Sequence, residues 1–441
     1  MGQHVTLRHI CQTFMIFMAW VTKGLYLEVS GPAMIDLKLI YNTNYESITR
    51  SVAGRGAGGF LGALIGALIV DKFERQLDLC IAIGTTIAGI CIALVPHVPT
   101  TGHVWMLYFM IGCVSNAVNM GGTRIALEIW KERSSIVLQL LHMGFGVGAL
   151  TDPLICSPFL AVIENVQKDD MNPNPHYHVI KESRAHLAFL IIGIFTCCVA
   201  IPFFLFQLTA KRSTVVKETV PSTSAKAKSF KEIFNPATYA NGNFYYGLCA
   251  LILLFLYFFN VVGGEKLFAT FVRTISVDVF HLEKSEASYL NTLFWLSLTT
   301  GRLIGAFVAR FVHVRTLILT QTVLHLASVI TLNKYALTGP KVFWILTILE
   351  GLLVSPLYPL GVAYGNTIIN LTGVCLMVIV FAGSFGDLTY LWTAGKMYDT
   401  YGASSILYGA CIAAWIVVVC VVMFRIAARI SAGTSGRILN V

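Results

Sequence analysis

Glu265 and Lys266 stand side by side inside an otherwise apolar run, YFFNVVGGEKLFATFV at 257–272. A carboxylate in such surroundings is costly unless it meets a partner or water. It could bind Na+ or carry a proton, or it could bridge to Lys266 or Arg302; both readings stay open. The neighbouring ammonium competes with a bound cation, and Asp387 and Asp152 are the next acids able to couple an ion to movement. Amides form a second group. Asn116 and Asn119 share one helical face, Gln139, His142 and Gly146 another, and Tyr257, Asn260 and Gly264 a third. Such faces can line an aqueous cavity suited to a hydroxyl-rich solute, or can hydrogen-bond one helix to the next. Nothing catalytic accompanies them. His97, His103, His176 and His178 lie in loops without metal-ligand partners at suitable spacing, and no Ser-His-Asp set can be assembled. The chain is read as no enzyme and calls for no cofactor.

The elements that must hold these groups are membrane helices. Of 441 residues, 56% are hydrophobic and only 12% charged, the wrong balance for a soluble surface. Mean hydropathy is +0.73. Apolar stretches of roughly 20 residues, the length that crosses a bilayer, give twelve expected spans. They lie at 9–33, 48–70, 77–96, 103–126, 135–162, 185–208, 244–266, 287–309, 314–333, 342–364, 374–395 and 403–427. The first is no removable signal peptide, because Lys23 and Glu28 interrupt it. The eleven cysteines fall in or beside these stretches, as packing residues rather than a disulfide framework. The net charge of +9 reports orientation in a lipid bilayer rather than nucleic-acid binding. Lys and Arg are in excess on the side that holds both termini, which places the termini in the cytoplasm. The sequon at Asn370 then faces the cytoplasm and is unused.

One break in composition is sharp. Residues 209–243 are polar, basic and rich in Ser and Thr, and read as a cytoplasmic linker between a six-helix half at 1–208 and another at 244–441. A duplication is legible across it. GALIGA at 62–67 returns as GRLIGA at 301–306, five letters in six, 239 residues later. At the same offset Gly112 maps to Gly351, Gly122 to Gly361 and Gly144 to Gly383, while Phe145-Gly146 maps to Phe385-Gly386 with one residue of slip. Two six-span halves in parallel repeat are the plan of the major facilitator superfamily, with the solute site between halves near the midplane. DKFERQ at 71–76 resembles that superfamily's loop signature: Asp71, Lys72 and Arg75 fit, whereas Glu74 replaces the usual glycine and Gln76 a basic residue. The glycine pairs Gly62/Gly66 and Gly144/Gly148 read first as packing devices, and as sliding contacts if the halves move. A phosphate loop is excluded, since no Gly-Lys-Ser/Thr follows.

Longer strings narrow the resemblance. GLYLEVSGPAMIDL at 24–37, GGTRIALEIW at 121–130, QLLHMGFGVGALTDPL at 139–154, VGGEKLFATFV at 262–272 and YLNTLFWLSLTTGRLIG at 289–305 resemble the sodium-dependent glucose transporter branch, itself related to bacterial fucose permeases. The resemblance implies uptake of a hexose or similar small solute, driven by Na+ or H+. It sets Gln139 and His142 beside the cavity, Glu265 at the polar centre of span seven, Trp295 as an aromatic wall and Arg302 at the cytoplasmic end of span eight. Lys266 and the Thr123-Arg124 pair depart from the pattern, and either change could alter the substrate. The resulting reading is an all-α, twelve-span carrier working by alternating access. Asn116, Asn119, Gln139, His142, Tyr257, Asn260, Asn291 and Trp295 are the candidate solute contacts. Glu265 is the coupling acid, with Asp387 and Asp152 behind it, and Asp71, Arg75 and Arg302 form gating pairs. A plasma-membrane monomer is expected. Two other functions compete: a uniporter or carrier of another metabolite, such as an organic anion drawn to Lys23, Arg124 and Lys266, and a receptor or scaffold that binds without translocating.

Overall fold

The first helix starts on a reciprocal cap. Thr6 accepts from the His9 amide while the His9 ring accepts from the Thr6 amide, which satisfies two of the donors a helix start leaves open. The computed structural model describes residues 6–130, 134–165, 177–209, 235–240, 242–369, 371 and 373–434. Its helices are α1 (Leu7–Glu28), α2 (Met34–Ile40), α3 (Tyr45–Lys72), α4 (Leu77–Leu94), α5 (Thr101–Trp130), α6 (Ser134–Cys156) and α7 (Ala185–Leu208). After the segment that carries the basic linker come α8 (Phe244–Asp278), α9 (Lys284–Val308), α10 (Val314–Tyr335), α11 (Pro340–Val354), α12 (Leu357–Ile368), α13 (Gly373–Tyr401) and α14 (Ala403–Thr434). The all-α class holds, with one small antiparallel pair, β1 (Val162–Asn165) and β2 (Tyr177–Lys181), between α6 and α7. Most of the expected linker, residues 210–234, lies outside the described residues, as does Asn370.

Among the described residues, ten helical stretches are long and apolar enough to cross a bilayer. α3 and α9, read from the sequence as the second and eighth spans, are helices of 28 and 25 residues, long enough to do the same. Two boundaries differ from expectation for local reasons. The first span stops at Glu28 because Gly31 and Pro32 follow, so the chain turns before α2. The tenth is broken at Ser355-Pro356 into α11 and α12, since proline cannot donate to the helical ladder. Large apolar side chains on the outer faces of α7 and α14, among them Ile194, Ile201, Leu205, Ile412, Trp415 and Val419, are exposed. A contiguous apolar exterior of this kind is what lipid covers.

The glycine echo becomes a packing rule. A Cβ at Gly62 would lie 2.1 Å from the Cys113 carbonyl oxygen, and one at Gly301 would lie 2.4 Å from that of Leu352. Gly66 lies against Ala117 and Gly305 against Pro356; Gly112 meets the Arg55 carbonyl and Gly351 that of Phe294. In each pair both members move by the same 239 positions, so α3 on α5 and α9 on α11 are joined by equivalent contacts. The slip expected near residue 385 resolves differently. Gly148 packs on the Val21 carbonyl of α1, and its counterpart is Gly386 on the Phe259 carbonyl of α8.

Candidate functional site

Adjacent residues on a helix point about 100° apart, so Glu265 and Lys266 serve different neighbours. Lys266 reaches across to α1, where its Nζ donates to Glu28 Oε1 at 2.6 Å. The same ammonium lies 5.1 Å from the ring centre of Phe145 on α6 and 5.0 Å from that of Trp295 on α9. Glu265 instead turns toward α9, 3.9 Å from Arg302 and 4.0 Å from Lys266. Four helices, two from before the linker and two from after it, therefore meet in a knot of two carboxylates and two cations walled by aromatic rings. A second bridge crosses beside it. Arg55 on α3 presents its fork to Asp387 on α13, at 2.9 and 3.0 Å, and also donates to the Leu27 carbonyl of α1. Planar, bidentate and buried, this pair has the strongest geometry an ion pair offers.

Toward the end of the bundle opposite the start of α1, three aspartates tie helices together. Asp278 at the end of α8 accepts from Tyr45 Oη at 2.9 Å and Tyr398 Oη at 3.0 Å. Asp399 accepts from the Tyr45 and Glu46 amides at the start of α3, where a carboxylate meets the positive end of the helix dipole. Asp36 on α2 lies 3.7 Å from Arg273 and accepts from the Ala161 amide at 2.6 Å. Burial pushes the Asp36 carboxyl above its ordinary range, against the opposing pull of Arg273.

The sequence matches the profile of the Major Facilitator Superfamily over residues 10–388. The chain belongs to this superfamily. It is an integral, multi-pass membrane transporter and not an enzyme. This facilitator is 27% identical over 400 residues to sodium-dependent glucose transporter 1 of Homo sapiens, covering 88% of this chain and 73% of that protein. It is 24% identical to sodium-dependent glucose transporter 1A of Mus musculus, covering 90% and 92%. Among solved structures, the nucleoside transporter NupG superposes with a TM-score of 0.64 at 14% identity, covering 96% of this chain and 99% of that one. A bacterial homolog of the human lysosomal transporter Spinster, in an inward-facing and occupied conformation, gives 0.64 at 12% identity, covering 97% and 98%. At such identity the two structures establish the fold alone.

The facilitator distributes its expected residues unevenly. Trp295, Glu265 and Arg302 fall in the central knot, with Asp387 in the bridge beside it; Arg302, expected at the cytoplasmic end, reaches Glu265. His142 is exposed beside them, its ring edge-on to Trp20 at 6.4 Å. Several amides serve the scaffold. Asn116 donates to the Gly59 carbonyl at 2.7 Å, binding α5 to α3. Asn260 donates to the Leu256 carbonyl and accepts from Tyr390 Oη, and Tyr257 donates to the Leu357 carbonyl. Among the described residues, Asn291 is fully buried with neither amide atom bonded, and Asn119 Oδ1 is likewise without a partner. Asp152 is fully buried and accepts only the Cys156 thiol, at 3.5 Å, with no cation beside it among the described residues. Arg75 lines a separate cavity of about 310 Å³ near the start of α4, with Arg8, Asp78 and Glu128. The side chains of Asp71 and Gln139 lie outside the described residues. Sequence reasoning gave no role to Arg55 or Phe145 and set Glu28 at a span end. A charge inside GRGAGG was the available signal for Arg55; nothing in the sequence pointed to its partner.

Proposed function

We propose that this facilitator is a secondary active transporter of a hexose sugar, coupled to Na+ or H+ and working by alternating access. In this reading twelve transmembrane helices form two six-helix repeats that rock about the central knot. The observation that carries the proposal is that knot: Glu28, Lys266, Glu265 and Arg302, drawn from both halves and ringed by Phe145 and Trp295. Aromatic walls suit the C–H faces of a sugar ring, and charged groups that share partners can release them to hydroxyls. The similarity to transporters named for glucose supports the same class of solute. The tyrosine–aspartate seal supports a conformation closed at one end, and Gly146 against Thr299 at the α6–α9 contact gives the halves a surface on which to slide. With both termini in the cytoplasm of the plasma membrane, the closed end would be extracellular.

Coupling is assigned by the company each acid keeps. Asp387 is committed to Arg55 and holds the halves together. Glu265 sits at the edge of ion-pair distance from two cations, so an arriving ion or solute can take their place. Asp152, uncompensated by any cation among the described residues, is the second acid able to accept an ion. The test is uptake of radiolabelled glucose into proteoliposomes holding the purified protein, with an inward Na+ gradient, an inward H+ gradient, or neither. Accumulation that follows one gradient upholds the proposal and names the ion; binding without flux would make the protein a receptor, and absence of both would exclude glucose.

A further inference from the structure

Around the central knot one cation has no carboxylate of its own among the described residues. Lys266 is matched by Glu28 at 2.6 Å, Arg302 by Glu265 at 3.9 Å, and Arg55 by the Asp387 fork. Lys23 is left over. It is half-buried on α1, three residues from Trp20 and five from Glu28, and among the described residues no carboxylate or hydrogen-bond acceptor meets its ammonium. Its charged neighbours are basic: Lys266 acts on it directly, and His142 feels both Lys23 and Arg302. Asp152 accepts from the Cys156 thiol and makes no ion pair with Lys23 among the described residues, so it does not fill the gap. A cation inside a transmembrane bundle that has no partner of its own is costly to maintain and marks the path of an ion or substrate.

We infer that Lys23 anchors a carboxylate on the transported solute, making the preferred substrate a sugar acid of the hexuronate class rather than a neutral hexose. The inference rests on the hexose proposal for the ring and adds the acidic group. A cation without a carboxylate of its own calls for one negative charge beside it. The groups around Lys23 supply the rest of the recognition: the exposed His142 offers ring surface, and Arg302, two turns beyond Trp295, is a donor. The carboxylate would complete a set in which every cation has a partner, while the sugar hydroxyls exchange with the loosely held Glu265–Arg302 pair. Lys23 thereby discriminates by what it lacks in the empty carrier, because a solute without the acid leaves the ammonium desolvated and unpaired.

The test uses the full chain in proteoliposomes, with equilibrium binding and counterflow of radiolabelled D-glucuronate and D-glucose compared on the same preparation. Wild-type protein should bind glucuronate about tenfold or more tighter than glucose, the scale of one charge-assisted hydrogen bond. Lys23→Gln should bring the two within about twofold, and Lys23→Arg should retain the preference. Equal or tighter binding of glucose by the wild type overturns the inference, and that comparison needs no variant to fold. Preference that survives in a folded Lys23→Gln protein overturns it too, as does tighter binding of glucose 6-phosphate, which carries more than one charge. Glucose uptake without glucuronate preference removes the sugar acid and leaves the hexose proposal standing. Glucuronate binding that lactate displaces equally well keeps the anchor and removes the hexose. Binding of neither sugar overturns both.

Discussion

The Arg55–Asp387 bridge permits the most quantitative test of how α3 and α13 are held together. Asp387→Asn keeps the shape of the side chain and removes its charge, stranding a guanidinium that is 4% exposed. Removing one partner of a buried pair costs about 3–5 kcal/mol, because the remaining charge has lost both water and counter-charge. Here the low end of that range is expected. Arg55 keeps its bond to the Leu27 carbonyl, and the asparagine Oδ1 still accepts one of the two original hydrogen bonds, leaving about 3 kcal/mol to be lost. Replacing both members with apolar residues, Arg55→Met with Asp387→Leu, should recover most of this loss, since buried pairs exchanged for well-packed hydrophobic side chains are often neutral. The assay is a double-mutant cycle on unfolding of the detergent-purified protein, followed by intrinsic fluorescence. Costs that add, with the double replacement no better than the sum of the singles, would refute the argument. So would an Asp387→Asn protein as stable as the wild type.

Glu265→Gln should abolish concentrative uptake while leaving exchange; unchanged accumulation in a gradient would take Glu265 out of the coupling role. Gly112→Ala should destabilise by about 1–3 kcal/mol, because its Cβ would stand 2.0 Å from the Arg55 carbonyl oxygen. Gly102→Ala is the control, with only Thr100 Oγ1 at 3.6 Å, and equal thermal midpoints for the two variants would contradict the packing account. Tyr45→Phe with Tyr398→Phe removes two hydrogen bonds to Asp278 at the sealed end, so a cysteine placed at Thr49 should react with a water-soluble maleimide several-fold faster than in the unmutated background. The raised Asp36 carboxyl makes the folded protein hold its proton more tightly than the unfolded chain does. Stability should therefore fall as pH rises from the ordinary aspartate value of 3.8 through the raised one; Asp36→Asn should flatten that slope, and a slope unchanged in thermal midpoints would show that another group sets it.

Composition and the spacing of apolar residues were enough to announce a multi-span membrane protein, because in lipid every backbone group must be bonded within its own helix and the required length follows from bilayer thickness. The 239-residue echo was legible for a similar reason. Glycine is demanded wherever helix backbones touch, so repeating the contact repeats the letter. Gly62 and Gly301, with Gly66 and Gly305, carried that information in sequence alone. Costly residues inside apolar runs also announced themselves: Glu265, Lys266 and Asp387 all proved to belong to ion pairs. For Glu265 the sequence offered Arg302 and Lys266, and they lie 3.9 and 4.0 Å from it; the closest partners of Lys266 and Asp387 were not legible. The sequence offered Lys266 as the neighbour of Glu265, yet the helical turn aims the two side chains apart, and Lys266 found Glu28, 238 residues away. Arg55 and Asp387 are 332 residues apart, and no periodicity links them. Asn116, Asn260 and Tyr257 had the right types and spacing to line a cavity, but the carbonyls they bond, at Gly59, Leu256 and Leu357, became available only when particular helices were placed side by side. Cost is a local property of a residue and its immediate medium, so sequence determined which groups needed a partner. Only the packing of α1, α3, α6, α8, α9 and α13 decided which partner each received, and that Lys23 received none among the described residues.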